Sequence, residues 1–210
     1  LEVNDTNYDY TNVVGYDLQS HTVTITVPLT VNQATAPAIT IPTLDEVTYD
    51  PNKTLADVTL PTGWAWVDST TVPTVVNTGY AAALTVDDAN YNYSTVDGYN
   101  SETHKVTRTV ALTVNKATVT GPTIASTTYN GTTQTATVPV SSLYTVTSNE
   151  GGTLVGSYDV VLTLTDTNNY EWKDSTGATK TFKFHITKAT APEVTVPTLD
   201  EVTYDPDKTR

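Results

Sequence analysis

Residues 34–54 read ATAPAITIPTLDEVTYDPNKT, and residues 189–209 read ATAPEVTVPTLDEVTYDPDKT. Only four positions differ: Ala38/Glu193, Ile39/Val194, Ile41/Val196 and Asn52/Asp207. So close a copy restricts the chain to a tandem array, in which one structural unit recurs along the polypeptide. A second match runs without a gap from residues 1–35 to residues 84–118. It pairs Asp5 with Asp88, Tyr8 with Tyr91, Tyr10 with Tyr93, Gly15 with Gly98, Tyr16 with Tyr99 and His21 with His104. A looser match sets Tyr129-Asn-Gly against Tyr49-Asp-Pro, Tyr158–Leu162 against Tyr80–Leu84, and Asn169–Trp172 against Asn90–Tyr93.

These matches divide the chain into four pieces. Residues 1–33 are the back half of a module, and 34–116 are a complete module of a first type. Residues 117–188 are a complete, shorter module of a second type, and 189–210 begin the first type again. The spacing is 83 residues from Leu1 to Leu84, 72 from Lys116 to Lys188, and 155 from Ala34 to Ala189. No Gly/Ser-rich or Pro-rich linker separates the modules, which predicts stiff junctions.

The pattern within a module is that of β structure. Thr makes up roughly a fifth of the chain, with Val and Tyr abundant, and these residues suit a pleated surface. Helix formers never gather at a 3.6-residue spacing. His21–Val31 alternates as HTVTITVPLTV, which predicts a half-buried strand with Val23, Ile25, Val27, Leu29 and Val31 on one face. Pro28 on the other face predicts an edge or a bulge. Further strands are expected at Val47–Tyr49, Leu55–Leu60, Trp64–Val67, Tyr80–Val86, Lys105–Val114 and Thr181–Thr187. Asp50-Pro51-Asn52 and Asn130-Gly131 read as turns.

The charge excludes some functions. With a net charge of −13 the chain lacks the Lys and Arg clusters that phosphate binding requires. Nucleic acid and anionic membrane surfaces are therefore not expected partners, and no apolar run is long enough to insert in a bilayer. There is no cysteine, so each core must be held by burial alone. No phosphate loop or nucleophile motif is present, and no enzyme is expected.

The segments VTYDPNKTLADVTLPTGWAW, NTGY, DDANYNY and TVNKAT of the first module type resemble the MBG/YDG-like and bacterial Ig-like repeats of Gram-positive cell-surface proteins and adhesins. YNGTTQTATV, GSYDVVLTLTD and NNYEW in the second module are similar to the MBG-like variant, without the Gly-Trp-x-Trp pair. The resemblance implies an all-β fold of tandem Ig-like antiparallel β-sandwich modules in an elongated rod, each adding roughly 35 Å at ~3.3 Å per strand residue. It implies an extracellular setting on a bacterial surface or cell wall, and a structural stalk, spacer or fibre segment. The alternative is an adhesive module for a host glycan, a matrix protein or a neighbouring copy of itself. Neighbouring repeats of the chain are the expected partners, and a half module leaves strand edges open to pairing with other chains.

Three groups of side chains are candidates for chemistry. Asp5, Asn7 and Asp9; Asp87, Asp88 and Asn90; and Asp166 and Asn168 place hard oxygen donors close together, which is what calcium needs. The competing reading is a turn whose Asp and Asn side chains bond their own backbone. No other cofactor is expected. Trp66 and Trp172 are candidate platforms for stacking on a sugar, against the competing reading of core packing. Lys116 and Lys188 end their modules, where surface adhesin domains sometimes form a Lys–Asn or Lys–Asp isopeptide bond. Gln33 stands at the equivalent position and cannot supply the amine, which favours a solvated lysine.

Overall fold

The strand expected at Thr181–Thr187 is present and begins two residues earlier, at Thr179. It is nine residues long, with Phe184 and Ile186 buried while Lys183 and His185 face solvent. The structure, a computed structural model, describes residues 1–207 and is nearly all β. The last residues of the second copy of the repeat, 208–210, lie outside the described residues. No helix among those described is long and apolar enough to cross a membrane. The described residues gather into two units. The first comprises residues 1–42, 61–67 and 81–109, the second 43–60, 68–80 and 110–207, so the 34–116 repeat contributes to both.

The first unit holds a hairpin, β1 (Tyr16–Asp17) with β2 (Thr22–Val23), and a parallel pair, β3 (Ala34–Thr35) with β7 (Tyr91–Asn92). Its largest sheet has the order β5 (Trp64–Trp66), β6 (Tyr80–Thr85), β9 (Lys105–Val110), β8 (Tyr99–Asn100). Trp64 and Trp66 share the half-buried face of β5 while Ala65 is exposed.

The second unit pairs β4 (Val47–Thr48) in parallel with β10 (Val114–Asn115), and β11 (Ala117–Val119) in parallel with β15 (Tyr170–Trp172). Its four-stranded sheet runs β12 (Thr127–Thr128), β16 (Thr179–Thr187), β14 (Gly156–Leu164), β13 (Tyr144–Asn149). Val119, Val160, Leu162, Leu164, Phe184 and Ile186 close its core around Trp172. The Trp172 ring meets Tyr144 at 5.9 Å and Phe182 edge-on at 6.0 Å. Its indole N–H donates to the Ala178 carbonyl at 3.2 Å, so burial leaves the donor paired. The boundary between the 34–116 and 117–188 repeats runs through this unit without a spacer. Tyr49 stands edge-on to Tyr170 at 5.3 Å, and the Val75 N–H donates to Asn169 Oδ1 at 3.0 Å.

Two expected strands do not form. Leu55–Leu60 opens instead with a 3-10 turn at Leu55–Asp57. Thr54 Oγ1 accepts from the Ala56 N–H and Asp57 Oδ2 from the Thr54 N–H, a reciprocal cap that outweighs the strand preference of the flanking residues. His21–Val31 is a strand only at Thr22–Val23. Beyond it Val27 is 79% exposed, whereas Val110, its repeat equivalent, is fully buried. β9 lies between β6 and β8, whereas β2 pairs with β1 in a two-stranded sheet. An alternating apolar run with no neighbouring strand has neither a ladder nor a core to join.

Replacing Phe184 by Ala should destabilise the fold by about 3–5 kcal/mol through lost burial and a cavity, while His185→Ala on the opposite face of β16 should stay within about 0.5 kcal/mol. Urea unfolding of the two variants checks the difference.

Candidate functional site

The candidate site begins with a turn. Asp87 Oδ1 accepts from the Asn90 N–H at 3.2 Å, and Oδ2 from the Asn90 side-chain amide at 2.9 Å. Asp166 repeats this on Asn169 at 3.2 and 2.8 Å. In the first repeat copy Asn4 takes the same position, with Oδ1 accepting from both nitrogens of Asn7. Each is a turn closed by an Asp or Asn side chain on the backbone N–H three residues on, immediately before the Asn-Tyr pair's tyrosine.

In two of the three copies a second device holds that turn. The Asp88 carboxylate accepts from the Tyr99 phenol and lies 2.6 Å from His104 Nδ1. Asp5 makes the same pair of contacts with Tyr16 and His21. His21 and His104 sit at φ 51° and 56°, left-handed backbone that a non-glycine residue adopts only when its surroundings compensate. The hairpin loops supply that compensation: Asp17 caps the Gln19 and Ser20 N–H groups, and Asn100 those of Glu102 and Thr103. Gly98, at φ 68°, is needed as well, because a Cβ there would lie 2.4 Å from the Thr107 carbonyl oxygen. The hydrogen bonds to Tyr99 and His104 hold the Asp88 carboxyl below its ordinary range, and those to His21 and Tyr16 do the same for Asp5. In return the Tyr16 phenol is pushed up to about 12 and the Tyr99 phenol is raised.

The Asn-Tyr segment receives a strand. The Ala34 N–H donates to the Asn90 carbonyl at 2.9 Å, and Ala34 and Thr35 lie in register with Tyr91 and Asn92. The Ala117 N–H donates to the Asn169 carbonyl, also at 2.9 Å, with Ala117 opposite Tyr170 and Thr118 opposite Glu171. One residue earlier, Gln33 Nε2 donates to the Asp88 carbonyl and the Lys116 ammonium to the Thr167 carbonyl, both at 2.6 Å. The two junctions are thus the same contact made twice. Lys116, partly exposed, donates to a backbone carbonyl there and is not joined to an Asn or Asp side chain.

The predicted calcium donors are not gathered into a cage. Asp5 and Asp88 are taken up by Tyr and His; Asp9 caps Thr11, Asp87 caps Asn90, and Asp166 caps Asn168 and Asn169. Asn7 is folded against Asn4, Asn90 gives its carbonyl to Ala34, and Asn168 gives its N–H to Asp166. No three His, Cys, Asp or Glu side chains converge as a metal site among the described residues. Trp172, 1% exposed in the core, offers no ring face to a sugar, because the second module needs it to fill its interior. Trp66 is half-buried on β5.

Sequence reasoning missed the Tyr–Asp–His clusters. Their signal was in the repeat: Asp5/Asp88, Tyr16/Tyr99 and His21/His104 are matched positions, 11 and 16 residues from aspartate to partner.

No protein-family model matches the chain, and no curated protein sequence matches it.

Loss of charge at Asp5 should release Tyr16. In Asp5→Asn the Tyr16 phenol should titrate from about 12 back toward its ordinary 10.0, read by NMR of labelled tyrosine rings. The sign of the pH dependence follows. The depressed Asp5 and Asp88 carboxyls stabilise the fold fully above 3.8, and that contribution fades as pH falls through their folded values. The raised Tyr16 stabilises below pH 10.0 and loses its contribution on the way to about 12.

Proposed function

We propose that this chain is a structural spacer, a stalk or fibre segment built of tandem Ig-like β-sandwich modules in an elongated rod, of the kind found in bacterial cell-surface proteins. The observation that carries the reading is the junction made twice with one register, once at Ala34 and once at Ala117. A chain whose modules each lock their first residues onto a late loop of the same module, by one contact made twice, is built of self-closed units of the kind a spacer requires. The short parallel pairs at Ala34 and Ala117 tie the start of a module to its own Asn-Tyr loop through backbone hydrogen bonds, which resist shear together. The Tyr49–Tyr170 contact and the Val75–Asn169 bond support stiffness at the repeat boundary.

The resemblance to MBG/YDG-like repeats supports an extracellular setting on a bacterial surface, and the net charge of −13 suits a surface that keeps neighbouring copies dispersed. The reading is non-catalytic: each repeated His–Asp pair is completed by a tyrosine that anchors a loop.

One observation favours a binding role as the second reading. Asp5, Asn7, Tyr8, Asp9, Tyr10 and Tyr16 line a cavity of about 520 Å³ in which aromatic faces and carboxylates meet. A glycan or matrix protein would use such a surface.

Small-angle scattering and a glycan and matrix-protein panel, with calcium and with chelator, separate the two. The spacer reading expects a rod-like profile and no saturable binding in either condition. Saturable binding that Tyr8→Ala abolishes in a folded protein would replace it with the adhesive reading.

A further inference from the structure

The second module departs from the first at one corner, and the departures converge there. Val110 of β9 is fully buried, whereas its repeat equivalent on β16, the larger Phe182, is only half-buried, so part of its ring emerges from the core. Ala38 is matched by Gly121, and the glycine is required: a Cβ there would lie 2.2 Å from Phe182 Cζ and 2.4 Å from Cε1. Ser94 is matched by Lys173, beside the buried Trp172. Arg108 is matched by Lys180, and the two cations are placed differently. Arg108 turns to the Asp97 carbonyl and carboxylate of its own hairpin. Lys180 lies over aromatic rings, with Nζ 5.2 Å from the Phe182 centroid and 5.9 Å from that of Trp172.

These residues open a cavity of about 400 Å³, lined by Thr120, Gly121, Lys173, Asp174, Lys180 and Phe182, all of the second module. The Lys180 ammonium also donates to the Asp174 carboxylate and holds that carboxyl below its ordinary range, so these two charges answer each other. Lys173 is exposed and makes no ion pair among the described residues. The cavity therefore combines an emergent aromatic ring, a carboxylate with acceptor capacity to spare, and one cation without a counter-ion. In a chain of net charge −13 this is a local reversal of sign.

We propose that this cavity binds a carboxylate-bearing sugar ring, a uronic acid unit of an acidic polysaccharide. The ring lays its C–H face against Phe182, its carboxylate accepts from the Lys173 ammonium, and its hydroxyls donate to Asp174. Each kind of lining group is thereby used. A bare phosphate or sulfate would leave Phe182 facing water, and a neutral sugar would leave Lys173 without a partner. The volume suits about one or two rings, and a contact of that size has about millimolar affinity. One such site is too weak for retention on a ligand panel, so the proposal stands apart from the choice between spacer and adhesin. It gives a spacer one weak hold on an acidic polymer for each module of the second type, and such holds add along an array.

Titration of the full chain with glucuronate, followed by NMR of the backbone amides, tests it. Saturable shifts should centre on Thr120, Gly121, Lys173 and Phe182, and glucose over the same range should bind about tenfold more weakly. Lys173→Gln removes the cation at an exposed position; it should weaken glucuronate binding about tenfold and leave the urea-unfolding transition unchanged. Lys105→Gln, at an exposed position of β9, should change neither. No saturable shift at concentrations well above millimolar, shifts spread evenly over the surface lysines, glucose bound as tightly as glucuronate, or unchanged affinity in Lys173→Gln would each overturn the proposal. None of these outcomes touches the two junctions on which the spacer reading rests.

Discussion

One backbone contact underlies the organisation of this protein: the parallel pairing of a module's first residues with the Asn-Tyr edge of a later loop. Parallel pairing joins segments distant in sequence, so it costs loop-closure entropy before it returns any hydrogen bond. The chain meets that cost by shaping the acceptor beforehand. Asp87, Asp166 and Asn4 fold their turns through side-chain bonds to the backbone, and those turns exist whether or not a strand is seated on them.

The polar residues that look most like chemistry serve this same end. Asp5 and Asp88 are surrounded by hydrogen-bond donors, and their carboxyls stay charged because Tyr and His groups turn toward them. They tie the acceptor loop to the neighbouring hairpin, which itself depends on glycine and histidine in left-handed conformations. The shorter module holds its equivalent loop by Lys116 and Asp166, contacts that Gln33 and Asp87 also make in the longer one, where the Tyr–Asp–His cluster is added to them.

Burial follows the repeats unevenly. Trp172 and Tyr93 stand at matched positions beneath seated strands and are both buried. Tyr10, at the third such position, is not, and the apolar residues Val27, Leu29 and Val31 are all exposed although Val110, Leu112 and Val114 at matched positions are buried. The same pattern thus yields a core residue in one copy and a surface residue in another. Alternation specifies which face of a strand is apolar, but only a second layer can bury it.

The array, its spacings and the all-β character were legible in the sequence, because faithful copying and strand-forming residues leave a local record. So were the turns at Asp50 and Asn130, whose side chains bond the backbone two residues on. So was a strand at Thr181–Thr187, for the same reason. Leu55–Asp57 misled, since its cap depends on Asp57 reaching back to Thr54 in a contest between two local preferences. The Tyr–Asp–His clusters, the parallel register and the fate of Trp172 were decided only by the tertiary structure. Each depends on groups far apart in the chain meeting at hydrogen-bond or packing distance, and neither residue type nor spacing encodes which distant partner arrives.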